Sequence, residues 1–182
     1  MNRPPRYTGT AIALHWIAAL LILGNVAFGL YMVDLPLSPA KLRYYSWHKW
    51  VGVTVFVLSG ARLLWRLSHP APALPASMPP WQRKAANVSH VLLYALFFAV
   101  PLSGWLFSSA AGFPTVYLGL VQLPDLIAKN RELADVLKVV HRAATWSLGT
   151  LAMVHAAAAV KHHVVDRDDV LARMLPIPKS RT

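Results

Sequence analysis

The sequence contains no cysteine. That excludes disulfides, thiolate metal sites, iron–sulfur clusters and covalent c-type haem attachment through a C-x-x-C-H motif. Acidic residues are also scarce, with seven Asp and Glu against eighteen Lys and Arg, a formal net charge of +11. Charged residues make up only 14% of the 182, whereas 56% are apolar and the mean hydropathy is +0.44. A soluble domain is usually about a quarter charged and slightly under half apolar. The composition is that of a membrane protein, and the length suits a single domain, residues 1–182. The basic excess would suit nucleic acid, but it falls in short segments between apolar runs. Positive-inside topology accounts for it, and no nucleic-acid partner is expected.

Four apolar runs stand out, at about 11–33, 46–67, 85–111 and 137–165. The first is too long for the 7–15-residue core of a signal peptide, and no convincing cleavage site follows. The expected fold is therefore all-α, a bundle of four transmembrane helices. Gly24 and Gly29 in the first run allow close approach of a neighbour or a large ligand. Pro101 lies inside the third run, where a kink is tolerated in a membrane. The loop 34–45 is short, and the linker from Ser68 to Lys84 carries five prolines and should be extended and semi-rigid. His69 in that linker is expected to be solvated. The longest connection, Gly112 to Asp135, contains aromatic residues and a mixed-charge part, DLIAKNRELAD, and part of it is expected to form a short interfacial helix capping the bundle.

Lys and Arg counts orient the bundle. Eleven fall on the side holding the N-terminal segment (Arg3, Arg6), the second linker with its flanks (Arg62, Arg66, Arg83, Lys84) and the C-terminal end (Lys161, Arg167, Arg173, Lys179, Arg181). Seven fall on the other side: Lys41, Arg43, Lys49, Lys129, Arg131, Lys138 and Arg142. Both termini are accordingly expected in the cytoplasm.

Histidines then supply the chemistry. His141, His155 and His162 are separated by 14 and 7 residues in the last run, which returns each to nearly the same helix face at ~100° per residue. Fourteen residues also rise about 21 Å, so His141 and His155 lie near opposite edges of a hydrocarbon core roughly 30 Å thick. An ionisable residue inside a membrane is costly and marks a functional site by default. With four antiparallel spans, His15 opens helix 1 on the inner side and His48 opens helix 2 on the outer side. Matching depths pairs His48 with His141 and His15 with His155, with His90 at similar depth as the rival of His15.

Each layer offers two imidazoles. Zinc or copper usually takes three or four ligands, whereas haem iron needs only two axial ones and its macrocycle suits an apolar interior. The alanine run 156–159 would leave room for a flat ring. Two b-type haems are expected, with both axial positions filled and electron transfer favoured over ligand chemistry at iron. Lys49 and Arg142 at the outer edge, and Arg62 and Arg66 at the inner edge, are candidates to meet the propionates; snorkelling is the alternative for the arginines.

The same order of motifs resembles the prokaryotic cytochrome b561 family, and in particular its superoxide-oxidase members. The resemblance rests on RYTGTAIALHW, W-H-K-W-V-G, G-A-R-L-L-W-R-L before the proline-rich linker, S-H-V-L-L-Y-A-L-F and V-H-A-A-A-A-V-K-H-H, and covers about Tyr7 to Pro176. It implies a di-haem, quinone-linked cytochrome of the bacterial inner membrane, with His15, His48, His141 and His155 as axial ligands. It also implies that His90 and His162 take part in binding a ubiquinone-type acceptor near the inner haem. Histidine can supply hydrogen bonds and protons there near neutral pH; His163 points about 100° off the stripe. If the superoxide-oxidase members are the guide, the outer donor is superoxide, oxidised to dioxygen. The outer segments carry seven basic residues against Asp34, Asp125, Glu132 and Asp135, a positive mouth that would concentrate a small anion or an acidic donor protein. The alternatives are a membrane subunit exchanging electrons with a partner dehydrogenase, and a haem-free proton or metal-ion carrier. The latter would more often show intramembrane carboxylates, and the four runs contain none.

Overall fold

A computed structural model describes residues 6–176, with Arg3, Lys179 and Arg181 of the charge count outside that range. Four long helices dominate: α1 (Gly9–Val33), α2 (Pro39–Ser68), α3 (Pro80–Ala110) and α4 (Arg131–Val164). Each is long and apolar enough to cross a membrane, with 18-residue windows of mean hydropathy 1.3 to 2.0. Their outward faces carry exposed aliphatic side chains such as Leu20, Leu64, Val91 and Val139. Lipid, not water, is the solvent that suits this surface.

Helices α2, α3 and α4 begin one to two turns before the apolar runs do, a correction to the expected bounds. The reason lies in capping. Ser38 Oγ accepts from the Lys41 amide at 3.2 Å with Pro39 in the first turn, Pro80 opens α3, and Asn130 Oδ1 accepts from the Leu133 amide at 3.0 Å. Hydropathy marks where a helix enters lipid; capping marks where the backbone turns helical. These early turns carry Lys41 and Arg43, Arg83 and Lys84, and Arg131 and Glu132.

The expected interfacial helix between α3 and α4 is not there. RELAD forms the first turn of α4, and residues upstream form a small antiparallel hairpin, β1 (Val116–Tyr117) and β2 (Val121–Gln122), paired Val116 to Gln122 and Tyr117 to Val121. Leu118 and Gly119 both take positive φ (53° and 74°), the type I′ geometry that matches strand twist. α3 stops at Gly112 (φ 77°): the Phe113 amide bonds the Ser108 carbonyl at 3.0 Å and the Gly112 amide the Ser109 carbonyl at 2.9 Å, a Schellman ending. The hairpin is tied down by α2. The Trp50 indole donates to the Val116 carbonyl at 2.6 Å, and Lys49 Nζ to the Pro114 and Phe113 carbonyls at 2.9 and 3.3 Å.

Helix α3 packs along α4 and α2, and α2 along α1, whereas α1 and α4 touch sparingly. The buried cluster is Ala18, Ile22, Val55, Leu93, Phe97 and Leu148. In α1, α2 and α3 these positions follow His15, His48 and His90 by three to seven residues, toward the other level, and in α4 Leu148 sits midway between His141 and His155. The core is thus a plug of side chains separating two polar levels.

At the end of the bundle opposite the hairpin, the two ends of the described chain meet. The Trp16 indole donates to the Met174 carbonyl at 2.7 Å and the Arg6 guanidinium to the Leu175 carbonyl at 2.5 Å. Buried Arg173 donates to the Ala73 carbonyl at 2.5 Å and pairs with Asp169 at 2.8 Å, fastening the C-terminal segment to the proline linker. His69 stacks flat on Trp65, with centroids 4.0 Å apart, and bonds the Ser68 hydroxyl. Arg173→Ala would leave a carbonyl and a carboxylate short of a partner. A loss of about 1–3 kcal/mol is expected, read as a lower thermal midpoint in detergent with an unchanged visible spectrum.

Candidate cofactor-binding site

On the hairpin side of the plug, His48 of α2 and His141 of α4 face each other with ring centroids 6.2 Å apart. His141 is held by α3. Its Nδ1 lies 3.0 Å from the Val100 carbonyl and 3.2 Å from Ser103 Oγ, and the Ser103 hydroxyl itself donates to Val100 at 2.8 Å. A carbonyl can only accept, so Nδ1 carries the hydrogen and Nε2 keeps its lone pair; the tautomer follows from the partners. A hydrogen bond on one ring nitrogen is the usual way to orient the other toward a metal. Both rings are seated against glycine. A Cβ at Gly104 would meet His141 Cε1 at 2.9 Å, and one at Gly29 would meet His48 Cε1 at 3.0 Å.

Near the chain ends, His15 of α1 lies 6.3 Å from His155 of α4, centroid to centroid. His90 of α3 approaches the same His155 at 5.4 Å, so this level holds three imidazoles. Two rings that bond one metal from opposite sides place their nitrogens roughly 4 Å apart, from metal–nitrogen bonds of about 2 Å. Their centroids then stand a ring radius further out on each side. The separations of 6.2 and 6.3 Å suit that arrangement and resemble each other, whereas 5.4 Å is tight.

The remaining expected residues divide. Arg62 is half-buried with its guanidinium 5.3 Å from the Tyr94 ring, and among the described residues it has no carboxylate within ion-pair distance. Arg66 and Arg142 are exposed. Lys49, expected at a propionate, spends its ammonium on the hairpin carbonyls and on Ser108 Oγ at 3.3 Å. Ala156 to Ala158 are exposed. Gly24, expected to admit a neighbour, has none within 4 Å of a Cβ position; Gly29 does, and Gly104 escaped notice in the sequence. His162 Nδ1 lies 2.7 Å from Asp168 and 3.0 Å from Asp166, while His163 is exposed.

The residues present fit haem. Both layers offer imidazole donors; thiolate is absent from the chain, and no carboxylate lies within the apolar lengths of the helices. His15 Nδ1 and His48 Nδ1 are buried with no hydrogen-bond partner, as expected of rings placed for something other than packing. Half-buried Gly52 and Gly149 have nothing within 4 Å of a Cβ position, so space remains beside α2 and α4.

A family model described as prokaryotic cytochrome b561 matches residues 6–176. The chain is 36% identical to cytochrome b561 homolog 2 of Escherichia coli K12, over 96% of this chain and 93% of that one. It is 33% identical to cytochrome b561 homolog 1 of the same strain, over 94% and 97% of the two chains. It is 30% identical to a protein of Yersinia pestis named as a probable superoxide oxidase, CybB, over 94% and 96%.

Proposed function

From the premise that this chain belongs to the prokaryotic cytochrome b561 family, a family of haem b proteins that carry electrons in membranes, we propose a di-haem quinone reductase. His48 and His141 would hold one haem and His15 and His155 the other. The observation that carries this reading is the pair of matched ring separations, 6.2 and 6.3 Å, on either side of the apolar plug. Haem supplies reversible one-electron chemistry at its exposed edge when both axial positions are filled.

The chain's own residues do the rest. Val100 and Ser103 fix the His141 ring, and the glycines opposite set its depth and that of His48. Arg62, half-buried and without a carboxylate partner among the described residues, would neutralise a propionate, with Arg66 and Arg142 at the two edges. The buried cluster keeps water from the space between the levels. His90, close to His155 yet too near to share a metal with it from the opposite side, and His162 would hold the oxygens of a ubiquinone-type acceptor.

The basic excess at the chain-end side supports a cytoplasmic position for that side in a bacterial inner membrane, with the hairpin outside. The likeness to a probable superoxide oxidase supports superoxide as the outer donor. Two superoxide anions would then lose one electron each to give two dioxygen molecules, and one quinone would gain two electrons and two protons to become quinol. Oxidised and reduced visible spectra with haem stoichiometry test the core of this proposal. Two low-spin b haems per chain are expected; a folded chain with one or none overturns it.

Seven basic residues in the outer segments against four acidic ones would raise the local concentration of a small anion. The second-order rate of superoxide-driven reduction is therefore expected to fall by several-fold when salt shortens the Debye length from about 30 to about 8 Å. A rate flat in ionic strength rules out steering.

A further inference from the structure

We propose that Asp168 is a positioning residue: it holds the Nδ1–H of His162, so that Nε2 is the nitrogen presented to the quinone. This rests on the reading of His162 as part of the quinone site. The geometry starts with backbone. α4 ends at Val164, and the chain would run away from it but for Arg167, whose φ of 54° lies in the left-handed region. A non-glycine residue there is disfavoured and persists only where the surroundings enforce it. The reversal brings the Asp168 amide to the His162 carbonyl at 3.1 Å and the Asp168 carboxylate to His162 Nδ1 at 2.7 Å. The other carboxylate oxygen accepts from the Val170 amide at 3.0 Å, which fixes its plane.

Helix electrostatics would not put an aspartate here. The C-terminus of a helix is its negative end and favours cations. Asp168 is nevertheless one of the better enclosed acids, with its side chain 15% exposed and that of His162 13% exposed. Asp166, also 3.0 Å from His162, is engaged by Lys161 at 2.6 Å. Lys161 thus engages Asp166, and the closer carboxylate, Asp168, is left to the imidazole. A carboxylate cannot donate, so Nδ1 must carry the hydrogen. Seven residues separate His162 from His155, which places both on one face of α4, about 10 Å apart along its axis. With Nδ1 so anchored, Nε2 has no hydrogen-bond partner among the described residues, the logic by which a carboxylate sets the tautomer of a functional histidine.

The test uses the full haem-loaded chain in lipid nanodiscs, pre-reduced and mixed with ubiquinone-1 in a stopped-flow instrument, with ¹⁵N-histidine spectra of the same samples. In the native chain the His162 signal is expected to show hydrogen at Nδ1; its absence there overturns the proposal. D168N is expected to slow reoxidation by about tenfold or more, with unchanged haem spectra, a displaced His162 signal, and recovery of most of the rate in D168E. In an H162A background, D168N should cost less than twofold further. H162A slow with D168N at the native rate sinks the proposal and leaves the quinone site standing. H162A at the native rate removes the quinone-site reading, and the proposal with it. Should D168N fail to fold, D168E against H162A decides: a rate in D168E as low as that of H162A, with the His162 signal unmoved, overturns the role of the carboxylate.

Discussion

His155→Ala is expected to lower the haem content from two per chain to one, and to leave the spectrum of the other haem in place. His155 is the central imidazole of its level, within 6.3 Å of His15 and 5.4 Å of His90. The nearest other histidine on its face of α4, His162, is seven residues on, about 10 Å along the axis, too far to take its place. The fold should survive. Alanine is the best helix former, α4 is held along α3 by Leu148 and its neighbours, and no hydrogen bond of the His155 ring is lost among the described residues. His141 lies fourteen residues away, about 21 Å along the axis, with its own anchor on Val100. Haem extraction assays and difference spectra read the outcome. Loss of both haems in a folded chain would break the two-level assignment. A companion pair identifies the partner: His15→Ala should lose the same haem as His155→Ala, and His90→Ala should keep both haems while slowing reoxidation by quinone. The reverse pattern would make His90 the ligand.

What the sequence shows, and where it stops, follows from the physics of each signal. Helical spacing is local, so the stripe of His141, His155 and His162 is visible in the sequence, and alternating topology assigns depths to His15 and His48. The structure brings those residues together in pairs as the depths suggest. Depth alone could not separate His15 from His90, because both open helices at the same end; only the distances to His155 distinguish them. The hairpin was hidden for a different reason. Leu118 is an ordinary residue in a left-handed conformation, and the helical residues of this connection belong to α4 from the Asn130 cap onward. Lys49 reads as a cation at a membrane edge, and nothing local says that it belongs to Phe113 and Pro114. Asp168 reaches His162 through the unusual φ of Arg167, which no composition rule foretells. The aspartates directly after a long apolar helix were the available sign, being at odds with the helix dipole.

The seat of His141 allows a second large effect without touching a histidine. Gly104→Ala is expected to remove the hairpin-side haem from most molecules while leaving the other haem and the fold. On propensity alone the change should stabilise α3, by roughly 0.5–1 kcal/mol. The new Cβ, however, would lie 2.9 Å from His141 Cε1 and 3.2 Å from Nδ1. The ring cannot tilt away freely, because its Nδ1–H bond to Val100, 3.0 Å long, comes from the turn of α3 that carries the glycine. It must break that bond or push α4 outward, and either movement takes Nε2 off the line toward His48. Gly29→Ala meets His48 at 3.0 Å, but that ring has no hydrogen bond at Nδ1 and can yield, so a weaker loss is expected. Gly24→Ala, exposed and with nothing within 4 Å, serves as the control for a methyl group in an open place. The predicted order of retained hairpin-side haem is Gly24→Ala, then Gly29→Ala, then Gly104→Ala, with thermal midpoints of the folded chains not following that order. Full haem content and an unshifted potential in Gly104→Ala would mean that α3 does not position the ligand. The reason would then have to be sought in α2, the only other helix that carries a histidine of that level.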